Sequence, residues 1–434
     1  MAVSKLFHGI SVIIDDEVGD PTSGIYKIKQ QIEQQGCFVV SMEDLPSAES
    51  YENLRGASLF ILDWNLHTGT ITEGDDVELV RIPRQVRKEH IRQLIDFLRS
   101  LKAVRFAPVF IFTNEDVETV VHELERHEDL WEEKGNSHIF VKSKHEVTNE
   151  GVFEVVNKWL EQRPSAYVLK RWEREYESAK NQLFLDFYNK SVYWPLILWD
   201  SFKVDSVPAS VELGHLIGRN LLSRMTPFDF DLEPYAKLYQ DEVVKDASYK
   251  KMLIKVLEGE RFLSGDQLHG NSISAGDVFR HQGDYYINIR PECDCVARDG
   301  VAQDDVCLYL LKGERVTKAQ VSKAYDDTYG LLRERDNEAV IFALVDTITV
   351  RFKFNELIVQ RWGEWKDRRI GRLLPPFLTR LKQRYSAYLD RPGLSRIPPL
   401  AVDRLDDTNE DESAVNAAET SRIKRFLKWA HIWK

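Results

Sequence analysis

Asp15 and Asp16 follow the apolar run Ile10–Ile14, Asp63 follows Leu59–Leu62, Thr113 follows Val109–Phe112, and Lys142 follows His138–Val141. If these runs are neighbouring parallel strands, all five side chains emerge at the carboxyl edge of one sheet, where open α/β sheets bind ligands. Three carboxylates crowded together raise one another's proton affinity, so the cluster calls for a divalent cation. Ligands that are all oxygen favour Mg²⁺. Such a metal would bridge the carboxylates and a donor's phosphoryl oxygens, leaving Asp63 as an in-line nucleophile that forms an acyl phosphate. Thr113 can donate its hydroxyl hydrogen to the phosphoryl group. Lys142 can balance the dianion and pair with Asp63 when the latter is unmodified. Taken singly, each residue has a plainer reading: an acidic pair after a strand is commonly a turn or a helix cap. The weight lies in all five types occurring in order, each at a strand end.

The elements that must position them are legible across residues 10–160. Five short apolar runs, Ile10–Ile14, Cys37–Ser41, Leu59–Leu62, Val109–Phe112 and His138–Val141, suit strands buried on both faces. Between them Ile25, Ile28 and Ile32 recur at helical spacing, as do Ile91, Leu94, Ile95, Leu98 and Leu101, and Val117, Val120, Val121 and Leu124. Glu150–Leu160 supplies a closing helix. This alternation predicts an α/β, flavodoxin-like, five-stranded parallel sheet.

At these residues the segment 1–162 resembles the CheY-like receiver domain of two-component response regulators. The resemblance implies that Asp15, Asp16, Asp63 and the backbone carbonyl of Asn65 hold Mg²⁺. It further implies that Asp63 takes a phosphoryl group from the phosphohistidine of a histidine kinase, that Thr113 is the switch hydroxyl, that Lys142 is the charge partner, and that Phe140 is a switch aromatic. Two departures stand out. About 50 residues separate Asp63 from Thr113, roughly 20 more than receivers usually have, with HTGTITEGDDVELVRIPRQ as the apparent insertion. Ser143 follows Lys142 where receivers often carry proline.

The rest of the chain changes character. Residues 163–265 read as a mainly helical connector: an aromatic-rich helix over 166–194 that Pro195 ends or kinks, then helices near 208–225 and 248–262. The first of these is either packed on its own domain or a dimerisation or signalling helix. Residues 266–392 read as a small antiparallel β-rich α+β domain with a closing helix over 374–389, and GDVFRHQGDYYINIRP contains a hairpin turning at His281–Asp284. Residues 393–420 are an acidic tether, and 421–434 form a basic amphipathic tail helix that either returns to the protein or docks a partner.

Composition limits the function. The 59 basic and 70 acidic residues leave a net charge of −11, so no nucleic-acid partner is expected. No apolar run approaches the roughly 18 residues of a membrane span. The four cysteines, Cys37, Cys293, Cys295 and Cys307, do not make a disulfide framework, which suits a reducing cytoplasm. CxC at 293–295 lacks a matching second pair for zinc.

The leading expectation is a phosphoacceptor fused to a non-enzymatic module, with no enzymatic activity beyond phosphorylation and dephosphorylation at Asp63. Its partners would be a histidine kinase, an effector protein of the same system, and a second copy of the chain. In overall layout, including GDVF...YYINIRPECD and RIGRLLPPFLTRLKQRY, the chain looks like receiver proteins of bacterial anti-phage operons, and it resembles the phosphate-sink receiver of the Detocs two-component system. The alternative is a receiver-controlled hydrolase or nuclease in the C-terminal half, with Asp277, Asp284 and Asp294 as its acids. A third reading is a pseudo-receiver that takes no phosphate.

Overall fold

A computed structural model describes residues 6–402 except 8, 67–83, 132–137, 205–206, 226–228, 241–243, 246, 269, 271, 299 and 394. Most of the insertion after Asp63, most of the acidic tether and the whole basic tail therefore lie outside the described residues. The chain divides into two units, Met1–Leu253 with Arg298–Gly300, and Ile254–Ala297 with Val301–Lys434.

The first unit is built on strands β1 (Ile10–Ile14), β2 (Phe38–Met42), β3 (Ala57–Leu62), β4 (Val109–Thr113) and β5 (Ile139–Ser143). They pair in parallel in the order β2-β1-β3-β4-β5, consistent with a flavodoxin-like fold. Helices α1 (Gly24–Gln34), α2 (Arg84–Val104), α3 (Val117–Glu125), α4 (Lys144–Glu150) and α5 (Val152–Leu160) flank the sheet, and a 3₁₀ segment, Ala48–Gly56, joins β2 to β3.

Alternation along the strands splits the core in two. Ile14, Phe60, Leu62 and Ile111 pack against Leu94 and Leu98 of α2 and Val120 of α3. Ile13, Ile61, Phe110 and Phe112 pack against Ile25 and Ile28 of α1 and Val156 and Trp159 of α5. Each fully buried side chain of this size contributes about 1.5–3 kcal/mol.

The structure moves several expected boundaries. β2 slides one residue along, β5 runs two residues past Val141, the closing helix expected from Glu150 begins at Val152 as α5, and α4, which Gly151 ends at φ 94°, is an addition to the expected elements. The expected long helix 166–194 is α6 (Pro164–Lys190). Ser191 is extended, and Pro195 falls in the first turn of α7 (Trp194–Val204), where proline's missing N–H costs nothing. Helix α8 (Ala209–Arg224) follows.

The second unit is an antiparallel sheet, nearly barrel-shaped. Its strands are β6 (Phe262–Ser264), β7 (Asp277–His281), β8 (Asp284–Asn288), β9 (Cys307–Arg315), β12 (Glu338–Val345), β13 (Ile348–Arg361) and β14 (Arg369–Leu373); a separate hairpin holds β10 (Tyr325–Asp326) and β11 (Leu331–Leu332). The order is β12-β13-β9-β8-β7-β14-β6, so β6 adds a strand ahead of residue 266, where the sequence reading begins this segment. The β7–β8 hairpin turns at Gln282 and Gly283, with φ 52° and 88°, at the expected place. Arg261 links the two edges, its guanidinium donating to the Phe342 carbonyl of β12 at 2.8 Å. Leu378 and Leu381, on the helix Phe377–Leu389, complete a core with Val278, Ile287 and Phe352.

Candidate functional site

The carboxyl edge of the parallel sheet carries the acidic cluster. Register places Ile14 level with Leu62 and Leu62 level with Ile111, so the residues that follow emerge side by side. The ladder continues one step beyond the strands: the Asp15 amide donates to Met42 O and the Asp63 amide to Ile14 O, each at 2.9 Å. Oxygens of Asp15, Asp16 and Asp63 lie within 4.8 Å of one another, the only cluster of three metal-ligand side chains among the described residues. The loop beyond is pinned by the Asp15 carboxylate, which accepts from the Glu17 amide at 2.9 Å, and by Ser23, whose hydroxyl donates to Glu17 O and caps α1.

The cation in this cluster is Lys144, a correction to the expected Lys142. Lys144 Nζ lies 2.8 Å from Asp15 Oδ2 and 2.9 Å from Asp63 Oδ2, with its side chain almost wholly buried. Lys142 instead reaches Glu150 at 2.7 Å and Glu146 at 4.0 Å. The reason is where β5 stops. Lys142 is still on the strand, on the face of Phe140, whereas Lys144 is the first residue of α4, next to Gly24 at the start of α1. The stretch Ser143-Lys144-His145-Glu146 has the S-x-x-E form of a helix start, a signal that would have singled out Lys144.

Thr113 closes β4 beside β3; it is fully buried, and its hydroxyl accepts from the Glu115 amide at 3.0 Å. Phe140 is half-buried and meets Phe110 edge-on, ring centroids 6.1 Å apart. Asn65 is half-buried directly after the Asp63 strand end, and its amide favours the ionised Asp63 carboxyl.

One ammonium is shared by the two buried carboxylates, Asp15 and Asp63. Burial pushes the Asp63 carboxyl up to about 7, against the pull of Lys144 and with the repulsion of Asp15 added. Asp15 is raised too, again by burial, with Lys144 opposing. For Lys144 burial pulls downward, but Asp63 and Asp15 outweigh it and hold the ammonium protonated. Asp63 Oδ1 is buried and makes no hydrogen bond. These are the properties of a site short of positive charge.

The acids considered for a second-unit enzyme are dispersed in role. Asp277 is fully buried and bonded to Arg372 at 2.7 Å, to Arg369 at 3.5 Å and to the Ser274 amide at 3.0 Å. Asp284 pairs with Lys312 on β9, and Asp294 lies in a 3₁₀ turn. Cys295 is buried against the Asn288 amide, and burial pushes its thiol up to about 12. A cavity of about 910 Å³ in this unit has apolar walls such as Leu257 and Phe377 and the cations Arg261, Arg315, Lys318 and Arg380.

No protein-family model matches the chain, and a search of curated proteins finds no match in sequence. Among the described residues no helix is long and apolar enough to cross a membrane.

Proposed function

We propose that the first unit is a phosphoacceptor receiver in which Asp63 takes a phosphoryl group from the phosphohistidine of a partner kinase. The observation that carries this reading is the excess of buried carboxylates over cations at the sheet edge.

Asp15, Asp16 and Asp63 would hold the divalent cation, with Mg²⁺ favoured by their all-oxygen chemistry. When bound, the metal supplies the positive charge that keeps Asp63 ionised and steadies the phosphoryl oxygens. A carboxylate oxygen of Asp63 forms the new O–P bond as the P–N bond of the donor imidazole breaks, and the imidazole leaves with the proton it carries. Lys144, already on Asp63, balances the charge of the acyl phosphate. The Thr113 hydroxyl, at the end of the adjacent strand, accepts from the Glu115 amide and keeps its own hydrogen to donate to the phosphoryl group.

The second unit is then a module that binds a partner or regulates the receiver. The resemblance in layout to anti-phage receiver proteins suggests a phosphate-sink role in such a system as the biological setting of this reading.

Incubation of the full chain with acetyl phosphate and Mg²⁺, followed by intact mass, tests the proposal. The parent should gain one phosphoryl group that alkaline hydroxylamine removes, and Asp63→Asn should gain none. Equal labelling of both chains would contradict it.

A further inference from the structure

We infer that the corner between α6 and α7 is a self-association surface that joins two copies of this chain. The one-sided burial of α6 starts the case. Near its N-terminus the helix is anchored: Lys170 Nζ donates to Ser58 O of β3 at 2.7 Å, and Arg105 pairs with Glu173 at 2.6 Å. Beyond Leu183 none of its residues is buried. Helix α7, of sequence WPLILWDSFKV, has no buried residue at all, although most of its side chains are apolar.

The corner nonetheless has its own aromatic packing. Trp194 stacks on Phe187 with ring centroids 4.6 Å apart and meets Phe184 edge-on at 6.0 Å. Around this aromatic hinge Leu185, Tyr188, Val192, Tyr193, Leu196 and Ile197 are each between 54% and 65% exposed.

Their area decides what could cover them. At about 200 Å² for a fully exposed aromatic side chain and somewhat less for an aliphatic one, these six present about 700 Å² of largely apolar surface. With Phe184 at its edge, it approaches the ~800 Å² that each partner buries in a standard stable interface.

Charge then selects the occupant. Residues 181–200 carry only Asp186, Lys190 and Asp200, so the patch has neither the cationic stripe that draws a helix onto an anionic membrane nor a field suited to a strongly charged partner. A nearly neutral patch rich in Tyr, Trp and Leu meets its own copy across a two-fold axis without like-charge repulsion.

Sedimentation equilibrium of the full chain over a concentration series tests this. A dimer with a dissociation constant below about 10 μM is expected, since interfaces of this area span micromolar to far tighter. Leu196→Asp and Tyr188→Glu should each weaken it on the order of thirty-fold or more. Both sites are exposed, and thermal melts identify a variant that fails to fold, in which case the other carries the test. Tyr329→Ser, which alters a still more exposed aromatic of the second unit, should leave the constant unchanged.

A parent that stays monomeric at 100-fold the concentration set by that ~10 μM limit would overturn the inference. So would folded variants that dimerise like the parent, a Tyr329→Ser effect of the same size, or a monomer that floats with lipid vesicles.

Discussion

Two wholly buried aspartates, Asp15 in the first unit and Asp277 in the second, sit among charges in opposite proportions. Asp277 is one carboxylate facing two guanidiniums and a backbone amide, so each of its oxygens is bonded. Asp15 shares one ammonium with Asp63, with Asp16 alongside. Burial raises the proton affinity of both Asp15 and Asp277, yet only at the sheet edge is negative charge left over. The difference teaches that a buried charge is structural when its partners are complete and chemical when they fall short. In the first case the protein has closed the circuit; in the second it leaves a place for a cation.

Removing a carboxylate should therefore have opposite effects at the two places. Asp277→Ala strands Arg369 and Arg372 half-enclosed, and should lower the stability of the second unit by about 3–5 kcal/mol in urea denaturation while leaving phosphorylation intact. A loss below about 1 kcal/mol would erase the contrast. Within the first unit, Lys144→Met should cost about 2–3 kcal/mol at pH 8, because it leaves Asp15 and Asp63 without their cation. Lys142→Met should change stability by no more than about 0.5 kcal/mol, as expected for a pair with the partly exposed Glu150. Equal effects of the two lysine variants would mean that the cluster does not depend on Lys144.

A further effect has the reverse sign. Asp63 is raised in the folded chain to about 7 from an unfolded value near 3.8, so the folded state holds the extra proton between those values. Stability then falls as pH rises from about 4 to about 7, and is level above. Asp63→Asn removes that penalty. It should be more stable than the parent by about 1–2 kcal/mol at pH 8, with the gain disappearing as pH drops towards 4. Chemical denaturation at several pH values follows this directly, and a variant less stable than the parent at pH 8 would count against the charge excess.

Much of this site was legible in the residues themselves. β1, β3 and β4 are short runs, apolar but for Ser11 and Ser58, that lead directly to Asp15, Asp63 and Thr113, the pattern of strands buried on both faces. Lys142 and Lys144 were harder to tell apart, because both have the same parity on β5 and their roles turn on whether the chain leaves the strand at 142 or at 144. The β7–β8 turn could be read because Gln-Gly between two strands is a short-range signal. In contrast, β6 is three residues long and directly follows a helix, so periodicity has too few positions to reveal it. Helix α4, seven residues long and ended by Gly151 at positive φ, likewise offers too few positions for periodicity to reveal it.

Calorimetric titration of Mg²⁺ into the full chain at pH 7, run in two buffers of different ionisation enthalpy, tests the central claim most directly. The charge-deficient edge should bind one ion and release protons as Asp63 is driven to its ionised form, and Asp63→Asn should bind more weakly with little release. Absence of binding, or binding without proton release that the variant reproduces, would contradict it.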